Sequence, residues 1–296
     1  EGLAAKASGV SIVSSSGTPG ASSKIILRGP ASFETDNQPL IVIDGVPIDN
    51  SVNYTNAGDN PYDNRLAGPQ LSNRALDINP EDIESVTILK GPAAAALYGQ
   101  DAGNGAVIYT TKRGKSRKGL GVDFSSNVQF DEVSRLPKLQ LRFGQGVNDT
   151  YSGLTPNSFG EDLIKAGKPT YNNLDGFFKT AATYTNNVSI NGGNDNTTFR
   201  LSVGSSNANG VIPYSNYNRY DVRLTADDKL NDKITVGGSM NYISSNSQSP
   251  SNGSDLSGVM LALLRMPAGF DGRNYLNPDG TQNTYYPVYD NPYFST

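Results

Sequence analysis

The sequence predicts a small α+β unit followed by antiparallel strands that belong to a large transmembrane β-barrel. Three observations support this fold class. The first 111 residues alternate short helix and strand signals around glycine and proline, a basic segment follows, and the remainder repeats segments with a period of two. The period-two segments number five, whereas a barrel with a filled lumen needs about 22 strands. We therefore expect the barrel to be incomplete in this chain.

The composition is consistent with a membrane barrel. Hydrophobic residues make up only 36% of the 296 residues and there are 32 glycines, which is unusual for two compact water-excluding cores. No stretch approaches the roughly 20 apolar residues of a membrane helix; the longest apolar runs are residues 40–43 and 259–264. Barrel strands alternate in polarity, so a barrel does not need such a stretch.

Residues 79–111 carry the clearest signals for local structure. Asn79 is a good N-cap and Pro80 suits the first position of a helical turn. A strand is expected over residues 85–89 and a helix over 93–98, where alanines favour helix and Gly99 ends it. Residues 107–111 are β-branched and aromatic and predict a second strand. The order strand, helix, strand predicts a βαβ-like element.

The basic segment begins at Lys112 and has five cations in seven residues. It could bind phosphates, but a solvated linker is the plainer interpretation. The net charge of −4 gives no support to nucleic-acid binding. The chain has no cysteine and no histidine, which excludes disulfides, cysteine metal sites and histidine-based catalysis or zinc binding. We expect no cofactor.

The second half of the sequence alternates apolar and polar residues in five segments, near residues 121–130, 183–191, 197–205, 220–226 and 233–242. Each is close to the 9–11 residues that span a bilayer as a tilted strand. A soluble β-sandwich would show the same alternation. The connections, however, alternate between short and long, as outer-membrane barrels require. The short ones are residues 192–195 and 227–232, and the long ones are residues 131–180, 206–218 and those from 244 onward.

Three blocks of sequence resemble a known family. They are Ile26-Leu27-Arg28-Gly29, the block from Pro39 to Pro47, and the stretch from Asn79 to Gly114. In this order they resemble the TonB-dependent outer-membrane transporters of the SusC/RagA type. Residues 177–195 and 230–237 read like the first barrel strands of that family. The resemblance implies a plug domain over residues 1–111, a basic linker over 112–120, and the first strands and extracellular loops of the barrel over 121–296.

The resemblance also implies a function. Members of this family import glycans or peptides across the outer membrane, with the plug as gate and a SusD-like lipoprotein as lid. The implied partners are that lipoprotein, TonB, an oligosaccharide or peptide ligand and the lipid bilayer, and no enzymatic step is implied. Because residues 1–6 lack the pattern of a signal peptide, an export signal and the segment that contacts TonB are expected before Glu1. A surface glycan-binding or adhesin protein and a secreted carbohydrate hydrolase are the alternatives.

Five residues are candidates for contacts that matter to function. Tyr285, Tyr286, Tyr289 and Tyr293 lie in a tail rich in proline and asparagine, where they could stack on sugar rings, pack against a partner or loop, or anchor at lipid headgroups. Packing against a partner or loop is favoured. Arg28 is the candidate anchor between plug and barrel, because a guanidinium offers five donors to carboxylates.

Two acidic features allow other interpretations. Asp44, with Glu34 or Asp36, could form a catalytic carboxylate pair, but Asp-Gly after an apolar strand is typical of a tight turn. The run of Asp and Asn over residues 49–63 could bind calcium, yet it lacks the glycine and glutamate of an EF-hand loop. We therefore predict no catalytic and no metal-binding residue.

Overall fold

The computed structural model describes residues 8–14, 17–21, 23–29, 37–50, 78–250 and 258–296. Within these ranges no helix has the length and hydropathy needed to cross a membrane. The α-helices are α1 (Pro92–Tyr98) and α2 (Val259–Arg265). The strands, in chain order, are β1 (Val10–Ser14), β2 (Ser23–Leu27), β3 (Leu40–Ile43), β4 (Val46–Ile48), β5 (Ile83–Leu89), β6 (Ala106–Thr111), β7 (Arg117–Asp131), β8 (Gly146–Val147), β9 (Thr150–Tyr151), β10 (Ala181–Gly193), β11 (Thr197–Asn209), β12 (Asn216–Asn231) and β13 (Ile234–Gln248).

The described residues up to Thr111 form an N-terminal unit with its own core. Its main sheet has the order β4-β3-β6-β5, in which β3 and β6 are parallel, and β1 and β2 form a separate antiparallel pair. The core contains Ile25 and Leu27 from β2, Ile41 from β3, and Val107 and Tyr109 from β6. The apolar residues of these short strands thus meet in one cluster.

The local signals of the N-terminal unit are confirmed, and one inference from them is wrong. Asn79 caps a 3₁₀ turn over Pro80–Asp82, its Oδ1 accepting from the amide of Glu81 at 3.0 Å, and α1 ends at Gly99. However, β5 and β6 are antiparallel neighbours, so the element is a hairpin with a helical connection rather than a βαβ unit. Gly105, at φ 100°, permits this return: a Cβ there would lie 2.8 Å from the carbonyl oxygen of Leu89.

The large sheet consists of five antiparallel strands in the order β7-β10-β11-β12-β13. Its strands have 13 to 16 residues, more than the sequence alternation indicated. Residues 227–231 belong to β12, so the predicted turn there is confined to residues 232–233. Residues 206–209 belong to β11, and the predicted long connection is a six-residue loop, 210–215. Both errors arise because polar strand ends resemble loops.

The apolar side chains of the large sheet lie on its exposed face. Phe124 is 69% exposed and Val203 is 48% exposed, whereas the inward-facing Ser202 and Asp221 are buried. A water-soluble sandwich would bury the apolar face of the sheet. In an outer-membrane barrel the apolar face contacts lipid and the polar face lines the lumen, which is the arrangement observed. The strand pairings align outward-facing apolar residues in two continuous rows, Val122-Ile190-Leu201-Leu224-Met240 and Phe124-Val188-Val203-Val222-Tyr242.

The sheet is not closed into a barrel within this chain, since β7 and β13 each pair on one side only. At one end of the sheet lie the short turns 194–196 and 232–233. At the other end, residues 132–180 and 258–296 pack together around Leu174, Phe177, Ile212, Val259 and Leu263. The long connections therefore form a compact layer with an apolar core of its own.

Candidate functional site

The N-terminal unit contacts the inward face of the large sheet through buried ion pairs. In the first, Nη1 of Arg200 on β11 donates to Oδ1 of Asp82 at 2.6 Å, and the two side chains are 6% and 5% exposed. The 3₁₀ turn capped by Asn79 presents Asp82 to the sheet. Period-two geometry turns Arg200 inward, because its neighbours Phe199 and Leu201 face outward. Charges buried to this extent require a partner.

The second ion pair involves the turn between β3 and β4. Asp44 and Gly45 both have positive φ, 48° and 87°, which Asp-Gly turns between antiparallel strands adopt readily. The Asp44 carboxylate accepts from the amide of Thr111 at 2.8 Å and from its hydroxyl at 2.7 Å. It also accepts from Nη2 of Arg223 on β12 at 2.7 Å. Asp44 is therefore both a turn residue and a contact to the sheet.

The third contact is centred on Asp221, whose side chain is 2% exposed. Its Oδ2 accepts from Nδ2 of Asn79 at 2.9 Å, and its Oδ1 lies 3.4 Å from Nε of Arg219. Arg219 Nη1 donates to the carbonyl oxygen of Ile78 at 3.3 Å. Gly204 on β11 makes this approach possible, because a Cβ there would lie 2.5 Å from Nδ2 of Asn79.

The interface is polar but incompletely hydrogen-bonded. Among the described residues, Nε of Arg223 and Oγ1 of Thr225 are buried with no hydrogen-bond partner. Each such atom costs about 1–3 kcal/mol. The residues that the structure describes contain no cluster of three or more acidic, histidine or cysteine side chains that could hold a metal ion. The arrangement can thus hold two bodies together by paired charges, at a strength below that of a fully satisfied interface.

The predicted anchor Arg28 is exposed and has a positive φ of 63°. Within the described ranges it forms no ion pair with a carboxylate, and its role as an anchor stays a prediction. The observed ion pairs have the opposite polarity, with aspartates on the N-terminal unit and arginines on the sheet. Glu34 and Asp36, the suggested catalytic partners of Asp44, lie outside the described residues, as do residues 51–63 of the suggested calcium run.

The four predicted tyrosines lie in the layer formed by the long connections. Tyr293 packs edge-on against Phe177, with ring centroids 5.0 Å apart, and its hydroxyl donates to the carbonyl oxygen of Asn173 at 3.0 Å. Tyr289 contacts both Tyr285 and Tyr286 and lies under the guanidinium of Arg265 at 5.1 Å. Burial raises the pKa of the Tyr285 and Tyr293 hydroxyls above the usual value. Their packing is with the loops; contacts to a ligand or partner stay a prediction.

Sequence reasoning missed the arginines that form the interface. The available signal was the spacing of Arg219, Asp221 and Arg223, three charged residues at successive inward positions of one strand. Arg200, between Phe199 and Leu201, is likewise a charged residue at an inward position of a strand. Charges at such positions require partners inside the barrel lumen, but the sequence does not identify which carboxylates supply them.

Comparison with known proteins gives consistent matches. Residues 1–106 match the family described as the TonB-dependent receptor plug domain. The chain is 36% identical to the TonB-dependent receptor SusC of Bacteroides thetaiotaomicron over 219 residues, 74% of this chain and 20% of that protein. It is 29% identical to the TonB-dependent receptor P26 of Formosa agariphila, over 99% of this chain and 27% of that protein. The chain thus spans well under a third of these relatives.

Solved structures show the same fold. The RagAB peptide importer in its closed-closed state matches 98% of this chain and 34% of its own chain, with a TM-score of 0.69 and 21% identity. The RagAB peptide importer in its open-open state matches with a TM-score of 0.64 and 19% identity. In both comparisons the match includes the N-terminal unit and the large sheet together, since nearly the whole chain is covered.

Proposed function

Since the chain belongs to the TonB-dependent receptors of the SusC/RagA type, which are outer-membrane proteins, we propose that it is part of an importer in which the N-terminal unit gates the lumen. The large sheet supplies part of the surrounding wall. The proposal concerns the full-length protein, because this chain spans 20% and 27% of the two relatives compared.

The observation that carries the proposal is the polar interface between the N-terminal unit and the inward face of the sheet. A gate must stay in place at rest and separate under force. Paired charges such as Asp82 and Arg200 hold the two bodies in register, and water can solvate both charges once they part. The unsatisfied atoms of Arg223 and Thr225 limit the strength of the closed state. A dry apolar core would resist separation far more.

The partners follow from the same premise. TonB supplies the force, and a SusD-like lipoprotein covers the extracellular side. The relative of known structure is described as a peptide importer, which supports a peptide as cargo. The sequence resemblance supports either a peptide or an oligosaccharide. No catalytic step is proposed, because the Asp44 carboxylate is engaged by Thr111 and Arg223.

Uptake by cells tests this function. The full-length gene is deleted and restored on a plasmid, and cells are given a mixture of labelled oligopeptides or, separately, labelled maltooligosaccharides. We expect accumulation of one probe class only when both the gene and TonB are present. The matched control is a strain that makes the protein but lacks TonB. Equal uptake with and without the gene for every probe would contradict the proposal.

A further inference from the structure

Aromatic residues cross the outward face of the large sheet along an inclined line. Phe130 on β7, Tyr184 on β10, Tyr220 on β12 and Tyr242 on β13 face outward and are between 45% and 66% exposed. The strand pairings show that each of them lies nearer the short turns than the one before it. On each of these strands the other large apolar residues that face outward lie between the aromatic residue and the short turns. The four residues thus form one half of an aromatic girdle, at the upper edge of the lipid-facing band.

The slope of this band gives the inclination of the strands. The outward apolar residues of β7 are centred on Ser125, and those of β13 are centred on Gly238. Successive pairings place Ser125 level with Ile243, which is five residues from Gly238. Five residues span about 17 Å along a strand, and the four strand spacings span about 19 Å. The band lies parallel to the membrane when the strands are inclined by about 40°, which is within the range of outer-membrane barrels.

Beyond the girdle, on the side of the long connections, the outward face of β11, β12 and β13 is polar and uncharged. Six of its side chains are amides, which we call the amide surface: Asn207, Asn209, Asn216, Asn218, Asn246 and Gln248. Among the outward positions that the structure describes on this part of the three strands, none is acidic or basic. A surface made for water carries about 25–35% charged residues. Contact with water alone therefore does not account for the amide surface.

The amide surface is taller than the headgroup layer of a phospholipid bilayer. Gln248 lies six residues beyond Tyr242 on β13. This separation is about 20 Å along the strand, or about 16 Å along the membrane normal at the inclination given above. Phospholipid headgroups add only about 5–8 Å on each side of the hydrocarbon core. A lipid that covers the whole surface must therefore have a headgroup that projects about 10 Å further.

The chemistry of the surface selects among possible occupants. A phosphate would need cations, and the core of a protein interface would be rich in aromatic residues, methionine and arginine; the described part of this surface has neither composition. Amides both donate and accept hydrogen bonds, as sugar hydroxyls do. The hydroxyl of Tyr220 donates to Oδ1 of Asn207 at 3.2 Å, and Nδ2 of Asn216 donates to Oε1 of Gln248 at 3.3 Å. Each of these amides keeps further donors and acceptors for a ligand.

From the height, the neutrality and the continuity with the lipid-facing band, we infer that the amide surface contacts the saccharide chain of a glycolipid in the outer leaflet. Short turns are periplasmic and long loops are extracellular in outer-membrane barrels, which places the amide surface in the outer leaflet. The occupant carries several sugars, because a single sugar is too short for the height of the surface. The inference does not depend on the proposed gating function.

Photo-cross-linking in living cells tests this contact. The photoreactive residue p-benzoylphenylalanine replaces Asn207, Asn218 or Asn246, one position at a time, in the full-length protein. The matched control is the same replacement at Ser247, which is next to Asn246 but faces inward, since it pairs with the buried Tyr217. After irradiation, adducts are detected with antibodies to the protein and to the lipopolysaccharide of the strain. We expect lipopolysaccharide adducts from the three amide positions and none from Ser247.

A second measurement needs no photoreactive residue. The full-length protein is extracted in mild detergent, and the lipopolysaccharide that it retains is measured. Asn207→Ala/Asn218→Ala/Asn246→Ala should cause at least about a twofold loss, because it removes hydrogen bonds to the sugars. The inward-facing set Ser206→Ala/Ser245→Ala/Ser247→Ala should retain as much lipopolysaccharide as the parent protein. Adducts with protein at the amide positions, equal adducts from Ser247, no adducts, or unchanged retention in the amide variant would each overturn the inference.

Discussion

Replacing Asp82 by asparagine should release the N-terminal unit from the sheet. The substitution keeps the shape of the side chain but leaves the Arg200 guanidinium, 6% exposed, without its counter-charge. Removing one partner of a buried ion pair costs about 3–5 kcal/mol. The lower figure corresponds to a roughly 150-fold increase in the undocked population, at about 1.4 kcal/mol per factor of ten. The double variant Asp82→Asn/Arg200→Met should recover part of the loss, because it also removes the uncompensated charge.

The undocked population can be measured by thiol labelling of the full-length protein. Ser202 lies on the inward face of β11 and is fully buried, so Ser202→Cys reacts only when the unit moves away. We expect the labelling rate to rise by about the same factor of roughly 150 in the Asp82→Asn background. The control is Asp232→Asn, which breaks the exposed ion pair with Lys229 and is worth at most about 1 kcal/mol. Equal labelling rates in the two backgrounds would refute the reasoning.

Three further predictions use other parts of the structure. Met240→Arg, in the middle of the exposed face of β13, should cost about 2–4 kcal/mol and reduce the folded protein in outer-membrane fractions, whereas Ser239→Arg, which faces inward, should not; equal yields would contradict the lipid-facing assignment. Gly204→Ala should loosen the interface, because its Cβ would meet Asn79, while Gly238→Ala, with open space around it, should leave the Ser202→Cys labelling rate unchanged. Burial raises the pKa of Tyr285, so the unfolded chain ionises first and stability should fall as pH rises above about 10. Tyr285→Phe should weaken that dependence and should not lower the melting temperature near neutral pH, because the buried hydroxyl has no hydrogen-bond partner among the described residues.

The sequence predicted those features that depend on neighbouring residues. The cap at Asn79, the 3₁₀ turn and the end of α1 at Gly99 each involve groups within a few residues. The alternation of the large sheet was also visible, and with it the fold class. The antiparallel pairing of β5 and β6 was not, because it depends on how the chain returns at Gly105.

The interface could not be predicted in the same way. Asp82 and Arg200 are 118 residues apart, and Asp44 and Arg223 are 179 apart, so nothing local indicates that they meet. The ends of β11 and β12 were missed for a related reason. Apart from Ala208 and Leu230, residues 206–209 and 227–231 are polar, a composition typical of loops, and only pairing with neighbouring strands identifies them as strand.

The position of the contacting strands early in the sequence has a consequence for biogenesis. Among the described residues, the ion pairs between the N-terminal unit and the sheet use β11 or β12, strands completed within the first 231 residues of this chain. The curated relatives are several times longer, because this chain spans only 20% and 27% of them. The N-terminal unit can therefore dock while β7 and β13 still have free edges. Assembly would then build the wall around an occupant already in place, with no need to thread a folded domain into a finished pore.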